Sequence, residues 1–244
     1  MIRNILRRWI GKTKGGVIYE DAPDVVEFIF TDKVCTDENG NFDPGANQAN
    51  GLEMAGQAKA CLATCQYFFP KMELSGIPTH FIESDINKGT MKCKAVTVIP
   101  VEFIWRAKAW GSFCKRYGVE QGLPLHGLIE GTLKDDALGD PLIYPAAACA
   151  IGKITSEQWD QCIKYTRGIF DILQREIAKT GYELIDGKVE FGLTKDGQLV
   201  LVDELSANIW RVVDDQGRSV EAHKIAKYCA PEHYPCGSPG GCGH

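Results

Sequence analysis

Residues 189–204 read VEFGLTKDGQLVLVDE, two strand-like runs on either side of Asp196-Gly197. An Asp-Gly pair between alternating runs is a strong signal for a two-residue hairpin turn, because both central positions of a type I′ turn need positive φ. Such a turn fixes the whole register: Val189 faces Glu204, Phe191 faces Val202, and Glu190 faces Asp203. One face then carries the apolar set Val189, Phe191, Leu193, Val200 and Val202, and the other carries Glu190, Leu201 and Asp203. Two carboxylates directly opposite one another repel and weaken a sheet. Lys188 or Arg211 could neutralise them; so could Mg²⁺, which takes paired oxygen ligands when it also binds nucleotide phosphates. A three-residue loop with a glycine bulge would move the register by one position and put the acids on different faces.

The hairpin is the last large element of a chain that reads as α+β. Strand-like runs GGVIYE and DVVEFIFTD, separated by turn-prone DAPD, open it as an antiparallel sheet. A Gly/Asn/Asp-rich loop follows, then a helical run that either stops at Pro70 or resumes beyond it, then strands in THFIES, MKCKAVTVI and VEFIWRAKA. Residues 118–149 are rich in Gly and Pro and read as loop. Thr155 or Ser156 is the candidate N-cap of the clearest helix, which ends at Gly181, and a shorter helix spans residues 219–228. These elements give an N-terminal sheet lobe (residues 1–98), a larger C-terminal α+β lobe (residues 99–228) and a Cys/His/Gly/Pro-rich tail (residues 229–244).

Composition excludes several classes. With 27 basic against 32 acidic residues, a broad nucleic-acid-binding surface is not expected. No apolar run is long enough to cross a bilayer, and the basic start MIRNILRRWI lacks a signal-peptide core, which points to a cytoplasmic protein. The 10 cysteines therefore read as free thiols. Cys229, His233, Cys236, Cys242 and His244 are residue types zinc accepts, but their spacing matches no standard finger and the surrounding Gly and Pro point to a loose tail.

Three further segments could carry chemistry. In GKTKGG, Gly11, Gly15 and Gly16 allow close backbone approach, and Lys12 and Lys14, two apart on a strand, can serve one anion. It is no Walker A motif, and taken alone the segment favours an ordinary Gly-rich turn with solvated lysines. In VIPVEFIWRAKAWGSFCKRYG, Glu102 and Arg106 share a strand face and Gly111-Ser112 offers an amide and a hydroxyl, either a phosphate site or a Glu/Arg ladder. LKDDALGDP gathers Lys134, Asp135, Asp136 and Asp140, to hold a metal or an amine, or simply to turn.

In this order these segments resemble the SAICAR synthetase (phosphoribosylaminoimidazole-succinocarboxamide synthase) family of purine biosynthesis. LIDGKVEFG is similar to its Leu-x-Asp-x-Lys-x-Glu-Phe-Gly signature and IPVEFIWRAKAWGSFCKRYG to its Pro-x-Glu-x-x-x-Arg…Gly-Ser-x-x-Lys-Arg-x-Gly signature; IGKTKGGVIY, SGIPTHF and LKDDALGDP resemble three further family elements. The chain departs from the pattern at Trp110, where a small residue is usual, at Gly139, where His is usual, at Gly187, where an aromatic is usual, and at Ser206-Ala207-Asn208 in place of Ser-Pro-Asp.

The resemblance implies a two-lobed fold with the nucleotide in the cleft, and an ATP-dependent ligase that joins L-aspartate to carboxyaminoimidazole ribotide (CAIR). It implies that Gly11, Lys12, Lys14, Val98 and Glu102 bind ATP, and that Glu190 and Asp203 hold Mg²⁺. Arg106, Ser112 and Arg211 would bind the ribotide, Asp186 and Lys188 would lie at the reacting imidazole, and Lys134, Asp136 and Asp140 would hold aspartate. A homodimer is implied by the resemblance alone. A small-molecule kinase of related architecture, or a nucleotide-binding regulator that has lost catalysis, are the alternatives; the kinase catalytic-loop HRD is absent.

Overall fold

The computed structural model describes residues 3–44, 46 and 50–234. An N-terminal antiparallel sheet takes the order β1-β2-β3-β5-β4, built from β1 (Ile5–Ile10), β2 (Lys14–Tyr19), β3 (Ala22–Phe30), β4 (Phe81–Asp85) and β5 (Thr90–Lys94). Helix α1 (Gln57–Leu74) connects its two parts and buries Phe68, Phe69 and Met72. It runs on through Pro70, because both Pro70 and Gln66, whose carbonyl loses its partner, lie on the exposed side where water can serve that carbonyl.

The second sheet has the order β10-β8-β6-β7, formed by β6 (Thr97–Lys108), β7 (Pro124–Leu133), β8 (Glu183–Leu193) and β10 (Trp210–Val213), with β9 (Leu199–Val202) also paired to β8. Short helices α2 (Ser112–Tyr117) and α3 (Pro145–Ala150) flank β7, and α4 (Ser156–Ala178) and α5 (Ala222–Cys229) complete the α+β fold. Thr155 caps α4 in a reciprocal capping box with Gln158. The helix lays its apolar stripe on the sheet: Phe170 stacks on Trp105 with centroids 4.9 Å apart, and Trp159 meets Phe103 edge-on at 5.0 Å. Each such ring pair adds about 0.5–1.5 kcal/mol beyond the area it buries.

Strand β7 corrects the loop expected over residues 118–149. Gly131 makes room rather than a turn, since a Cβ there would lie 2.3 Å from the Trp159 ring; Gly127 follows His126 in the left-handed region at φ 76°, and a Cβ on it would lie 3.0 Å from the Trp105 indole nitrogen. At the C-terminal end the chain stays packed through Tyr234, whose ring lies under Lys59 at 5.0 Å, while Lys59 Nζ donates to the His233 carbonyl at 2.8 Å. Cys236, Cys242 and His244 of the expected tail lie outside the described residues. The cysteines among the described residues are free thiols, and none of these residues form a cluster of three or more metal-type ligands. No helix among them is long and apolar enough to cross a membrane.

Candidate active site

The expected tight turn is not formed. Thr194 and Gln198 close a three-residue loop, with Thr194 N–H donating to the Gln198 carbonyl at 3.0 Å and Gly197 at φ 84°, the glycine-bulge alternative. The register moves by one position: Glu190 pairs with Val202, and Phe191 with Leu201. Regular alternation would then aim Asp203 away from Glu190. Instead Asp203 ends β9 in the left-handed region at φ 67°, a conformation Asp tolerates better than most residues at a cost of about 1–3 kcal/mol. The turn brings both carboxylates to one cleft. It is held from behind by the buried His80, whose Nε2 donates to the Asp203 carbonyl at 3.1 Å. Burial pulls the His80 imidazole down to about 4, so it is neutral at pH 7.

The acid directly across the ladder from Glu190 is Glu102, on β6. Along the same pair of strands Ile104 faces Lys188 and Arg106 faces Asp186, so one face of β6 and β8 presents acids, a lysine and an Arg–Asp pair in sequence. Lys188 Nζ reaches Glu102 at 2.6 Å and Glu190 at 3.5 Å, and Lys134 Nζ reaches Glu190 at 2.5 Å. Burial works to raise the Glu102 carboxyl, but Lys188 outweighs it and the group is held low. Glu190 is pushed up, first by burial and then by the charge of Asp203. Asp203 itself is held at about 2, burial being outweighed by Lys14 and Lys188. Lys14 ion-pairs with both Asp203, at 2.7 Å, and Glu204, at 2.5 Å, which more than offset its burial and raise its pKa.

These groups line a cleft of about 680 Å³ between the two sheets. The glycine-rich turn contributes Gly11, Lys12 and Lys14; β6 contributes Val98, where its ladder with β8 is interrupted, and Glu102. Lys134 and Asp136 close another side, with Lys12 Nζ bonded to Asp136 at 2.8 Å. Asp140 is not among the lining residues: its carboxylate accepts from the Asp135 N–H at 2.7 Å and shapes its own loop. Arg106 and Arg211 converge on Asp186, each at 2.8 Å, with Arg106 also on Glu130 and Arg211 on Asp43. Ser112 opens α2 beside Gly111, where a Cβ would lie 3.3 Å from Arg211 Nη2. Glu204, Gln57, His80, Glu130 and Asp43 are additions that the sequence reading did not single out, and Asn208 stood out only as a departure from the family pattern; Glu204 and His80 sit within strand-like text with nothing to separate them from structural residues.

The donor set suits a hard divalent cation. A buried carboxylate, Glu190, and a half-buried one, Asp203, at one cleft, with Glu190 disfavoured as an anion beside Asp203, fit an ion such as Mg²⁺, which takes one or two protein carboxylates and completes its shell with substrate phosphates.

A family model described as SAICAR synthetase matches residues 10–228. The chain belongs to the SAICAR synthetase family. It is 38% identical over 226 residues to the phosphoribosylaminoimidazole-succinocarboxamide synthase of Clostridium tetani, covering 91% of this chain and 93% of that protein. The enzyme of the same name from Finegoldia magna is 43% identical over 177 residues, covering 71% and 76%. Among solved structures, a SAICAR synthetase in complex with ADP superposes with a TM-score of 0.78 at 26% identity, covering 93% of this chain and 96% of that one. One departure from the family signature has a packing reason. Gly187 lies between Trp105 and Trp210 across its two ladders, and a Cβ there would fall 2.8 Å from the Phe170 ring and 3.0 Å from Trp210 Cβ. The space is already filled with aromatic side chains.

Proposed function

We propose that this SAICAR synthetase family member joins L-aspartate to CAIR at the expense of ATP, through an acyl phosphate, with the residues of this cleft and of the Arg106–Asp186–Arg211 cluster farther along β6 and β8 in the following roles. A carboxylate is a poor electrophile. A CAIR carboxylate oxygen therefore attacks the γ-phosphorus, the bond to the β-phosphate breaks, and ADP leaves. The aspartate amine then attacks the acyl carbon, the bond to phosphate breaks, and the amine gives up a proton as phosphate departs. Catalysis of this kind is mainly positioning and charge neutralisation.

Lys12 and Lys14 meet the phosphates where Gly11 lets the backbone approach, and Val98 and Glu102 line the hinge side toward the adenine. Glu190 and Asp203 would hold Mg²⁺, which when bound supplies neutralisation of the transferring phosphoryl oxygens. Arg106, Ser112 and Arg211 take the ribotide phosphate, with Asp186 ordering the two guanidinium groups. Lys188 stands at the reacting imidazole, held by Glu102. Lys134 and Asp136 serve aspartate at the cleft edge; Asp140 serves it indirectly, by shaping their loop. The observation that carries this reading is the meeting of Lys14, Lys188, Glu190 and Asp203 in one cleft, linked by ion pairs. The family match does not favour the kinase or the regulator.

The free thiols fit a reducing cytoplasm, where we place the enzyme. A homodimer, tested by sedimentation, is the expected assembly. Purified protein should turn ATP over to ADP repeatedly only when ATP, Mg²⁺, CAIR and L-aspartate are all present, with at most one equivalent of ADP per site when aspartate is left out. ADP formation indifferent to aspartate would point to a kinase, and nucleotide binding without turnover to a regulator.

A further inference from the structure

Gln57, the first residue of α1, and Asn208, in the segment between β9 and β10, are far apart in sequence and joined by a buried hydrogen bond. Gln57 Nε2 donates to Asn208 Oδ1 at 2.8 Å, and Asn208 Nδ2 donates to Glu204 Oε2 at 3.1 Å. Ser206 Oγ donates to the same oxygen, and the other oxygen of Glu204 receives Lys14. All of Gln57, Glu204, Ser206 and Asn208 are buried. The polarity of this relay is dictated by its charge. A carboxylate only accepts, so Asn208 must turn its NH₂ to Glu204, which leaves its carbonyl for the NH₂ of Gln57. An aspartate at 208 would set a second carboxylate against Glu204, so the Asn departure in Ser206-Ala207-Asn208 matches the donors around it.

Lys14 has two acid partners. Asp203, on the proposed reading, turns its oxygens to Mg²⁺ when the nucleotide binds, which leaves Glu204 as the fixed anchor of the Lys14 ammonium. A glutamate side chain has three rotatable bonds, and its aim is set by the donors that hold it. We propose that Gln57 and Asn208 are positioning residues for the nucleotide phosphates: by fixing Glu204 they fix Lys14. This inference rests on the assignment of Lys14 to the phosphates and goes beyond it.

The test is calorimetric binding of the non-hydrolysable analogue AMP-PNP with Mg²⁺ to the full chain, with thermal melts to verify folding. Gln57→Leu and Asn208→Leu are similar in shape but unable to pass on the hydrogen bond; Asn208→Leu should weaken binding by about tenfold, the scale of one hydrogen bond to a charged group, and Gln57→Leu by about threefold to tenfold, the scale of a neutral one. The double variant should be no weaker than Asn208→Leu alone, because Gln57 acts only through Asn208. In turnover, KM for ATP should rise and KM for aspartate stay unchanged. Unchanged affinity in folded Gln57→Leu, which decides the matter by itself if Asn208→Leu fails to fold, would overturn the relay. So would losses that simply multiply in the double variant. Lys14→Met separates the two readings: if it leaves affinity intact, the phosphate assignment is wrong and the relay falls with it; if it weakens binding while Gln57→Leu does not, only the relay is wrong.

Discussion

Glu102 and Glu190 stand directly opposite one another on β6 and β8, both buried. Like charges at such positions cost on the order of 0.2–1 kcal/mol even on an ordinary sheet. They are tolerated because Lys188 bonds Glu102 at 2.6 Å and Lys134 bonds Glu190 at 2.5 Å, so the sheet carries a neutralised cluster whose lysines and acids are both types that a nucleotide and its metal need.

Lys188→Met removes the closest cation from Glu102 and leaves a buried carboxylate without its main partner. Loss of one member of a buried pair costs about 3–5 kcal/mol. Urea unfolding at pH 7 should show a fall of that order, whereas a change under 1 kcal/mol would mean that Lys134 alone suffices.

Two neutral isosteres should separate stability from function. Glu190 is pushed up by burial and by Asp203, so its charged form is disfavoured, and Glu190→Gln should raise the melting temperature at pH 7. Asp203 is held at about 2, below its ordinary 3.8, so its charged form stabilises the fold above pH 3.8 and that contribution fades as pH falls through about 2. Asp203→Asn should therefore melt lower at pH 7. Both variants should lose Mg²⁺-dependent turnover while remaining folded; near-normal activity in either would refute its assigned role.

Gly187→Ala places a methyl group 2.8 Å from the Phe170 ring and 3.0 Å from Trp210 Cβ. Overpacking of this kind costs about 1–3 kcal/mol. Thermal unfolding should show it, and an unchanged melting temperature would mean that Phe170 yields freely.

Away from the cleft, Glu176 on α4 accepts hydrogen bonds from Tyr67 of α1 at 2.6 Å and Tyr228 of α5 at 3.1 Å, tying three helices together. Burial pushes its carboxyl up, but Lys179, Tyr67 and Tyr228 outweigh that and hold it at about 2, against an ordinary 4.5. A depressed carboxylate gives stability that is complete above about pH 4.5 and lost as pH falls to about 2. Glu176→Gln should therefore be less stable than the parent at pH 7, with the gap closing over that window. A gap independent of pH would assign the effect to packing.

Much of the layout was legible because local rules and tertiary demands agree. The Thr155 cap, the long amphipathic α4 and the hairpin at Asp196-Gly197 follow from spacing and turn chemistry. The turn length did not, because Asp-Gly suits both loops and the side chains decide: Thr194 Oγ1 bonds Asp196 at 2.6 Å and accepts the Gln198 N–H at 3.0 Å. The left-handed turn at Asp203 was also hidden, since it is stabilised by His80 and Lys14, both distant in sequence. For the same reason β7 read as loop: its glycines answer to Trp105 and Trp159, which local sequence cannot show. The two acids do meet in one cleft, but through a strained residue and an extra carboxylate from β6 rather than through the register of the hairpin.

The central claim is that ATP activates the CAIR carboxylate as an acyl phosphate. With CAIR carrying ¹⁸O in that carboxylate, phosphate released in a complete reaction should contain one ¹⁸O atom per turnover, read by mass spectrometry. Phosphate without label, alongside normal product, would contradict the account.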